Sequence, residues 1–320
     1  MSADSPSILT TGGTGLVGRA IVRRLLAAGQ SVRVISRGDE YPALPGVSIW
    51  RGDVTSAGDV ASAMRGCHAV FHCAAEKHDR ARMTAVNIAA TRLLLDLACD
   101  LKVGFFCHLS SVAVIGRTGT RIVDEAAACN PVSLYAETKL AAEEIVRRGL
   151  PDGSVVILRP TNIFGPETLG PWLQNSLRSK MRAFLNGRER AHLIYVEDVA
   201  ATAVHWFQTC SGRRVETFIV SSDEEPGNTN HEVRLALASM VETATRPCRF
   251  SAPLWVSRYA RAIRHGHGNL GKVIYSSGRL HQTGYRPPFG LRNGLNDAVR
   301  LWRAGQIPAE AISRQPPPLS

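Results

Sequence analysis

A doubly wound, largely parallel α/β sheet is the fold this sequence predicts, and three observations predict it. Short apolar runs of strand length alternate with longer stretches of helical periodicity through the first half of the chain. A glycine-rich turn separates the first such run from the first helical stretch. The 320 residues, 44% hydrophobic and 20% charged, can bury one large core or two joined ones, and hold no apolar run of the roughly 18 to 20 residues that a membrane span needs.

In chain order, Ser7 to Thr11 reads as a strand, Gly12-Gly13-Thr14-Gly15-Leu16-Val17-Gly18 as a turn, and Ala20 to Ala28 as a helix ending at Gly29. The spacing Gly12-x-x-Gly15-x-x-Gly18 removes side chains where backbone must turn tightly and approach a pyrophosphate. It leaves amides at the helix start, including those of Leu16 and Val17, to bind that anion. This strand, turn and helix predict a dinucleotide site of the Rossmann type. A second strand, Ser31 to Ile35, ends at Ser36-Arg37, where an NAD site commonly carries an acid for the ribose hydroxyls. Arginine suits a 2′-phosphate instead, so NADP is the expected cofactor and NAD the second choice. The other readings are that Arg37 points into solvent, or that Asp39 turns inward to serve NAD.

Val47 to Val54 forms a third strand ending in Asp53, placed either to contact the adenine amino group or to form a turn. Ala69 to Ala75 is a fourth, closing in the small residues Ala74 and Ala75, which let backbone come close to a cofactor. A helix then opens at Val86-Asn87, and a fifth strand, Phe105 to Ser111, ends in paired serines. Twenty-four residues after Ser111 stand Tyr135 and Lys139, whose spacing on a helix puts a phenol and an ammonium on one face. A nearby cation favours the phenolate, so the pair is expected to bring the tyrosine pKa down toward neutral pH. Taken alone, Tyr-x-x-x-Lys also reads as an aromatic packed at a helix start beside a solvated lysine.

The joint order Thr11-Gly12-x-x-Gly15-x-x-Gly18, Asp53-Val54, His72-x-Ala74-Ala75, Asn87, Ser110-Ser111, Tyr135-x-x-x-Lys139 and Arg159-Pro160-Thr161-Asn162-Ile163-Phe164-Gly165-Pro166 resembles the extended short-chain dehydrogenase/reductases, the NAD-dependent epimerase/dehydratase family. Tyr195 to Ala200 and Gly284 to Pro287 fit its later landmarks, so the resemblance runs over residues 7 to 305. It implies that Tyr135 is the acid/base, Lys139 its pKa-lowering and ribose-binding partner, and Ser111 the hydroxyl that orients the reacting oxygen. Thr11, Ser36, Arg37, Asp53, Val54, Ala74, Ala75, Asn87, Pro160 and Asn162 join the glycine turn as expected cofactor contacts, and Val112, Asn162, Arg188 and Arg190 as substrate contacts. Asn87 and Asn162 also read as capping or turn residues.

Departures from the family pattern narrow the chemistry. The stretch after Ser111 is Val112-Ala113-Val114, where sugar dehydratases carry an acidic pair, so elimination of water has no evident catalyst. Ala191 stands where nucleotide-sugar epimerases carry a phosphate-binding arginine, with Arg188 and Arg190 adjacent. The expectation is an NADP(H)-dependent oxidoreductase reducing a ketone or oxidising the alcohol, on a nucleotide-linked sugar. The alternatives are an NAD-dependent nucleotide-sugar epimerase, a reductase of a steroid- or lipid-like ketone, and a non-catalytic NADP-binding sensor or scaffold.

Residues 1–165, with a segment returning near 192–222, are read as the cofactor-binding domain, and 166–320 mainly as a smaller substrate-binding lobe. Val215 to Val220 reads as a strand and Leu291 to Ala304 as a closing helix, with a disordered-looking tail at Gln315 to Pro318. The formal charge is +11, and from Arg246 onward twelve basic residues face two acidic ones, so the positive field belongs to the last quarter. If two of those arginines face the cleft, the substrate is anionic. Between Pro253 and His267, Trp255, Tyr259 and Ile263 recur every four residues beside Arg258, Arg261 and Arg264. That stretch reads either as a packed lobe helix or as one resting on an anionic membrane. The basic residues accompany no nucleic-acid-binding module. Seven cysteines, odd in number and never at Cys-x-x-Cys spacing, read as buried thiols rather than disulfides or a zinc site. Met1 to Pro6 has no basic flank and does not read as a signal peptide, so the expected setting is cytoplasmic. The expected partners are a small-molecule substrate and a second copy of the chain.

Overall fold

The computed structural model describes residues 7–38, 45–174, 176–241, 251–253 and 273–305. Asp39, most of the aromatic and basic stretch between Pro253 and His267, Cys248 and the proline-rich tail lie outside the described residues.

Seven strands form one sheet: β1 (Ser7–Thr11), β2 (Ser31–Ser36), β3 (Val47–Arg51), β4 (Cys67–His72), β5 (Phe105–Leu109), β7 (Ser154–Pro160) and β10 (Arg214–Val220), in the order β10-β7-β5-β4-β1-β2-β3. The pairs from β3 across to β7 are all parallel. The predicted parallel sheet is therefore present. It is wound by α1 (Leu16–Ala27), α2 (Ala57–Met64), the short α3 (Arg80–Met83), α4 (Ala90–Asp100) and α5 (Leu134–Val146). Parallel strands are covered on both faces, which is why β7 reads as the near-continuous apolar run Ser154-Val155-Val156-Ile157-Leu158 and is buried at every position. The main apolar cluster joins Leu9, Ile35, Val70, Phe106 and Ile157 of the sheet to Val60 and Met64 of α2, Leu94 and Leu95 of α4, and Ile145 and Val146 of α5.

Several predicted strands end sooner than expected. β3 stops at Arg51 rather than Val54, β4 at His72 rather than Ala75, and β5 at Leu109 rather than Ser111. In each case the first residue beyond the strand still donates its amide to the neighbouring strand, Gly52 to Ser36, Cys73 to Thr11 and Ser110 to Leu158, and the chain then leaves the ladder at the carboxyl ends, where ligands bind in such sheets. Asn87, expected at a helix start, sits inside a π-helical turn, Thr84–Ala89, which leads into α4.

The chain divides into two compact units. One comprises the chain up to Ile115 with Cys129–Pro160 and Val199–Phe218; the other comprises Gly116–Ala128, Thr161–Asp198 and the chain from Ile219 on. Within the second unit β8 (Asn162–Phe164) pairs in parallel with β9 (Leu193–Tyr195), and β6 (Ile122–Val123) with β11 (Ile274–Tyr275). The Asp198 carboxylate accepts from the Phe289 and Gly290 amides at 2.8 and 2.9 Å and so caps the helix Gly290–Arg303. Tyr195 donates to Asp297 on that helix at 2.7 Å, which gives the Tyr195-to-Ala200 landmark a structural purpose. No helix among the described residues is long and apolar enough to cross a membrane. The six described cysteines are free thiols; Cys67 and Cys107 are buried and the other four only partly so, which corrects the expectation that all are buried.

Candidate active site

The glycine turn is built for close approach. Gly12 has φ +65°, and a Cβ there would lie 2.6 Å from the Ala74 nitrogen, so the residue needs both the left-handed backbone and the missing side chain. A Cβ on Gly18 would overlap the Gly12 carbonyl oxygen and sit 2.8 Å from Gly13 Cα. The start of α1, capped at Gly15, thereby packs onto the turn with its first amides, those of Leu16 and Val17, at the carboxyl end of β1. This cradle and the helix dipole fit a dinucleotide pyrophosphate. Gly18→Ala is expected to destabilise the protein by about 2 kcal/mol through overpacking and to weaken cofactor binding, read by urea denaturation and by fluorescence titration with NADPH.

Thr11, expected at the cofactor, holds the turn from beneath. Its hydroxyl accepts from the Ala74 amide at 3.2 Å and lies 2.7 Å from His72 Nδ1. On the other side His72 Nε2 lies 2.9 Å from Thr91 Oγ1, whose proton goes to the Asn87 carbonyl at 2.7 Å. Thr91 must therefore accept from His72, which fixes the tautomer: Nε2 carries the proton and Nδ1 receives the one on Thr11. Burial, with the Lys139 charge adding to it, pushes the His72 pKa down to about 3, so the ring is a neutral connector. It ties β1, β4 and α4 together behind the turn.

At the end of β2, Ser36 Oγ accepts from the Gly38 amide at 3.3 Å, and Arg37 is exposed. Asp53 Oδ1 accepts from both the amide and the hydroxyl of Thr55, at 2.9 and 2.8 Å, as a turn-forming aspartate does. Its Oδ2 faces Arg82 at 3.6 Å. The Thr55 amide hydrogen bond holds the Asp53 carboxyl below its usual pKa, with the Arg37 and Arg82 charges adding smaller effects. Two guanidinium groups thus gather near Asp53-Val54, and Arg82 is the one sequence reasoning missed.

Ser111 follows β5 directly and caps the short turn Val112–Val114, its Oγ accepting from the Ala113 amide at 3.2 Å. That bond uses a lone pair and leaves the hydroxyl proton to donate. Ser133 caps α5 by accepting from Ala136 at 3.2 Å, and the helix presents Tyr135 in its first turn and Lys139 one turn later. Lys139 is only 1% exposed, against the reading of a solvated lysine. Its Nζ donates to the Leu109 carbonyl at 2.6 Å, so the lysine is fastened to the strand that delivers Ser111. Lys77 Nζ stands 5.7 Å from the centre of the Tyr135 ring, within cation–π range.

The tyrosine differs from expectation. Burial pushes its pKa up to about 12 rather than down, while burial draws Lys139 down to about 8. The ammonium lies against a backbone carbonyl, so desolvation dominates at the phenol. Asn87, expected at the cofactor, has its amide engaged within the protein. Its Oδ1 accepts from the Glu76 amide at 2.7 Å, and its Nδ2 donates to the Glu76 carbonyl and to Thr138 Oγ1, each at 2.9 Å. Thr138 in turn donates to the Tyr135 carbonyl at 2.9 Å. The asparagine therefore joins the segment carrying Lys77 to the first turn of α5.

Below the site lies a buried ionic brace. Glu143, a further turn along α5, accepts from Ser110 Oγ at 2.5 Å and from Arg159 Nε and Nη2 at 2.9 and 2.6 Å. Arg159 immediately precedes Pro160 at the end of β7. Of the expected substrate contacts, Val112 is partly exposed beside Ser111. Asn162, Arg188 and Arg190 belong to the second unit. There Asn162 donates to the Ala191 carbonyl at 2.9 Å, Arg188 is exposed, and Arg190 Nη1 donates to the Asp223 carbonyl.

Comparison with known proteins identifies the family and the fold. The profile of the NAD dependent epimerase/dehydratase family matches residues 8–220. A Synechocystis sp. protein named, on provisional grounds, a dihydroflavonol 4-reductase is 31% identical over 268 residues, covering 77% of this chain and 75% of that protein. The human sterol-4-alpha-carboxylate 3-dehydrogenase, decarboxylating, is 31% identical over 206 residues, covering 59% of this chain and 54% of that protein. The crystal structure of Thermus thermophilus UDP-glucose 4-epimerase in complex with NAD shares the fold, with TM-score 0.70 and 23% identity over 93% of this chain and 99% of that one. With a matching profile over most of its length, the parallel sheet and the glycine turn in place, the chain belongs to the NAD-dependent epimerase/dehydratase family of the short-chain dehydrogenase/reductase superfamily.

Proposed function

We propose that this protein is an NADP(H)-dependent oxidoreductase that interconverts a ketone and its alcohol, with Ser111, Tyr135 and Lys139 as the catalytic residues. The observation that carries the reading is Lys139 buried in α5 and bonded to Leu109, which brings the tyrosine helix onto the strand end that bears Ser111. When bound, the nicotinamide supplies or takes up a hydride. Reduction leaves negative charge on the carbonyl oxygen; the Ser111 hydroxyl is suited to bond it and the Tyr135 phenol to protonate it. With its pKa raised to about 12, the phenol is protonated at neutral pH and can serve as the proton donor to the reduced oxygen. Lys139, at about 8, is mainly ammonium at pH 7 and supports the phenolate left behind.

Arg37 and Arg82, whose charges both act on Asp53, support NADP as the cofactor. Arg37→Asp is expected to weaken NADP binding by about tenfold to a hundredfold relative to NAD, as loss of a charge-assisted phosphate contact does. Calorimetric titration with both cofactors measures that ratio, and an unchanged ratio removes Arg37 from the site.

For the substrate, the Synechocystis and human relatives are named for a dihydroflavonol and a sterol-4-alpha-carboxylate, both fused-ring molecules, which supports a steroid- or flavonoid-like ketone. A nucleotide-linked sugar is the second reading, supported by the exposed Arg188 and the adjacent Arg190. Initial rates of NADPH and NADH oxidation against ring ketones and nucleotide-linked keto sugars test the proposal. It fails if none consumes cofactor while a nucleotide sugar is epimerised without net cofactor turnover.

A further inference from the structure

His108 of β5 has chemistry that the proposed reaction does not use, and it lies against Lys139. The imidazole is fully buried, and its Nε2 lies 3.4 Å from Lys139 Nζ. Its Nδ1 is buried with no partner among the described residues. An ammonium has only donors, so a proton on Nε2 would set donor against donor. The lone pair must therefore face the lysine, and the proton must sit on Nδ1.

The surroundings leave few other acceptors for this charge. His72 and Cys73 approach from β4 and the segment after it, Lys77 from the same segment, and Glu143 from the lysine's own helix. Both His72 nitrogens are committed to Thr11 and Thr91, and Lys77 repels the ammonium. Glu143 attracts it but makes its own hydrogen bonds to Ser110, Arg147 and Arg159. The Leu109 carbonyl and the His108 lone pair are the two hydrogen-bond acceptors that Lys139 has among the described residues.

We propose that His108 is a positioning residue: its neutral Nδ1–H imidazole accepts an N–H of Lys139 at Nε2, and with the Leu109 carbonyl fixes where the ammonium's third N–H points. A lone pair facing the ammonium favours the charged form, so loss of Nε2 makes Lys139 easier to deprotonate. Only the value of this to turnover rests on the oxidoreductase reading; the contact itself does not.

The test uses full-length protein labelled with 13Cε-lysine, with the Lys139 signal assigned by its disappearance in Lys139→Met. In His108→Phe the Lys139 titration midpoint is expected to fall by about one pH unit, a tenfold change in proton affinity. In His108→Gln, whose amide oxygen can accept the same N–H, it is expected to return to near the wild-type value. Long-range 1H–15N spectra of the unmutated protein should show His108 protonated at Nδ1 and bare at Nε2, a result that does not depend on either variant folding. A protonated Nε2, or a midpoint unmoved or raised in His108→Phe, overturns the proposal. These readouts need no substrate, so a protein inactive toward every ketone could still bear out the contact, and an active one could still refute it.

Discussion

Tyr135→Phe is expected to lower the rate of ketone reduction by about a hundredfold to ten-thousandfold, the range for losing a positioned general acid, while NADPH affinity changes by no more than about twofold. The substitution removes one oxygen and leaves the ring, so the Lys77 contact at 5.7 Å, the Thr138 bond to the Tyr135 carbonyl and the packing of α5 are retained. Ser111 can still bond the reacting oxygen but cannot replace the proton, because a serine hydroxyl is too weak an acid. Initial rates at saturating NADPH, with a fluorescence titration of the cofactor, separate the two effects. A variant that keeps more than about a third of the rate would show that another group delivers the proton.

Glu143→Ala is expected to destabilise the protein by about 3–5 kcal/mol, because it leaves Arg159 buried without its carboxylate. The Arg159 side chain is 2% exposed, and its Nη1 already has no partner among the described residues. Ser110 would lose its 2.5 Å partner in the same step. Arg147, 43% exposed, contributes little to the brace, since water screens it. Urea denaturation measures the loss, and the double variant Glu143→Leu with Arg159→Met should recover most of it by replacing the ion pair with apolar packing. A single variant within about 1 kcal/mol of wild type would mean that water reaches the guanidinium once the acid is gone.

The parallel sheet was legible because strands covered on both faces carry unbroken apolar runs, and because glycine must stand wherever a Cβ would collide, as at Gly12 and Gly18. Ser111, Tyr135 and Lys139 were legible as a pattern, and their adjacency to one strand end follows from the Lys139 bond to Leu109. The Glu143 to Arg159 pair was not, since it joins a helix to a strand through a contact that no local periodicity encodes. His108 was hidden for a related reason: within Phe105-Phe106-Cys107-His108-Leu109 it reads as one more buried strand residue. The direction of the Tyr135 shift was misjudged because four-residue spacing fixes the shared helix face but not where a flexible ammonium finds its acceptors. Carbonyl and imidazole both lie against the Lys139 ammonium, and the phenol is left to desolvation.

The strand order has a consequence for synthesis. β7 is buried at all seven positions and ends at Pro160, yet its outer neighbour β10 does not begin until Arg214. A nascent chain halted in that interval carries this fully buried strand with one ladder edge open, the situation in which sheets recruit foreign strands. Phe218 of β10 stacks on Trp206 at 4.5 Å between ring centres, so the helix preceding β10 helps dock the covering strand once it emerges. Truncation before Arg214 should therefore yield an aggregating fragment, even though the glycine turn, Ser111, Tyr135 and Lys139 would all have been made.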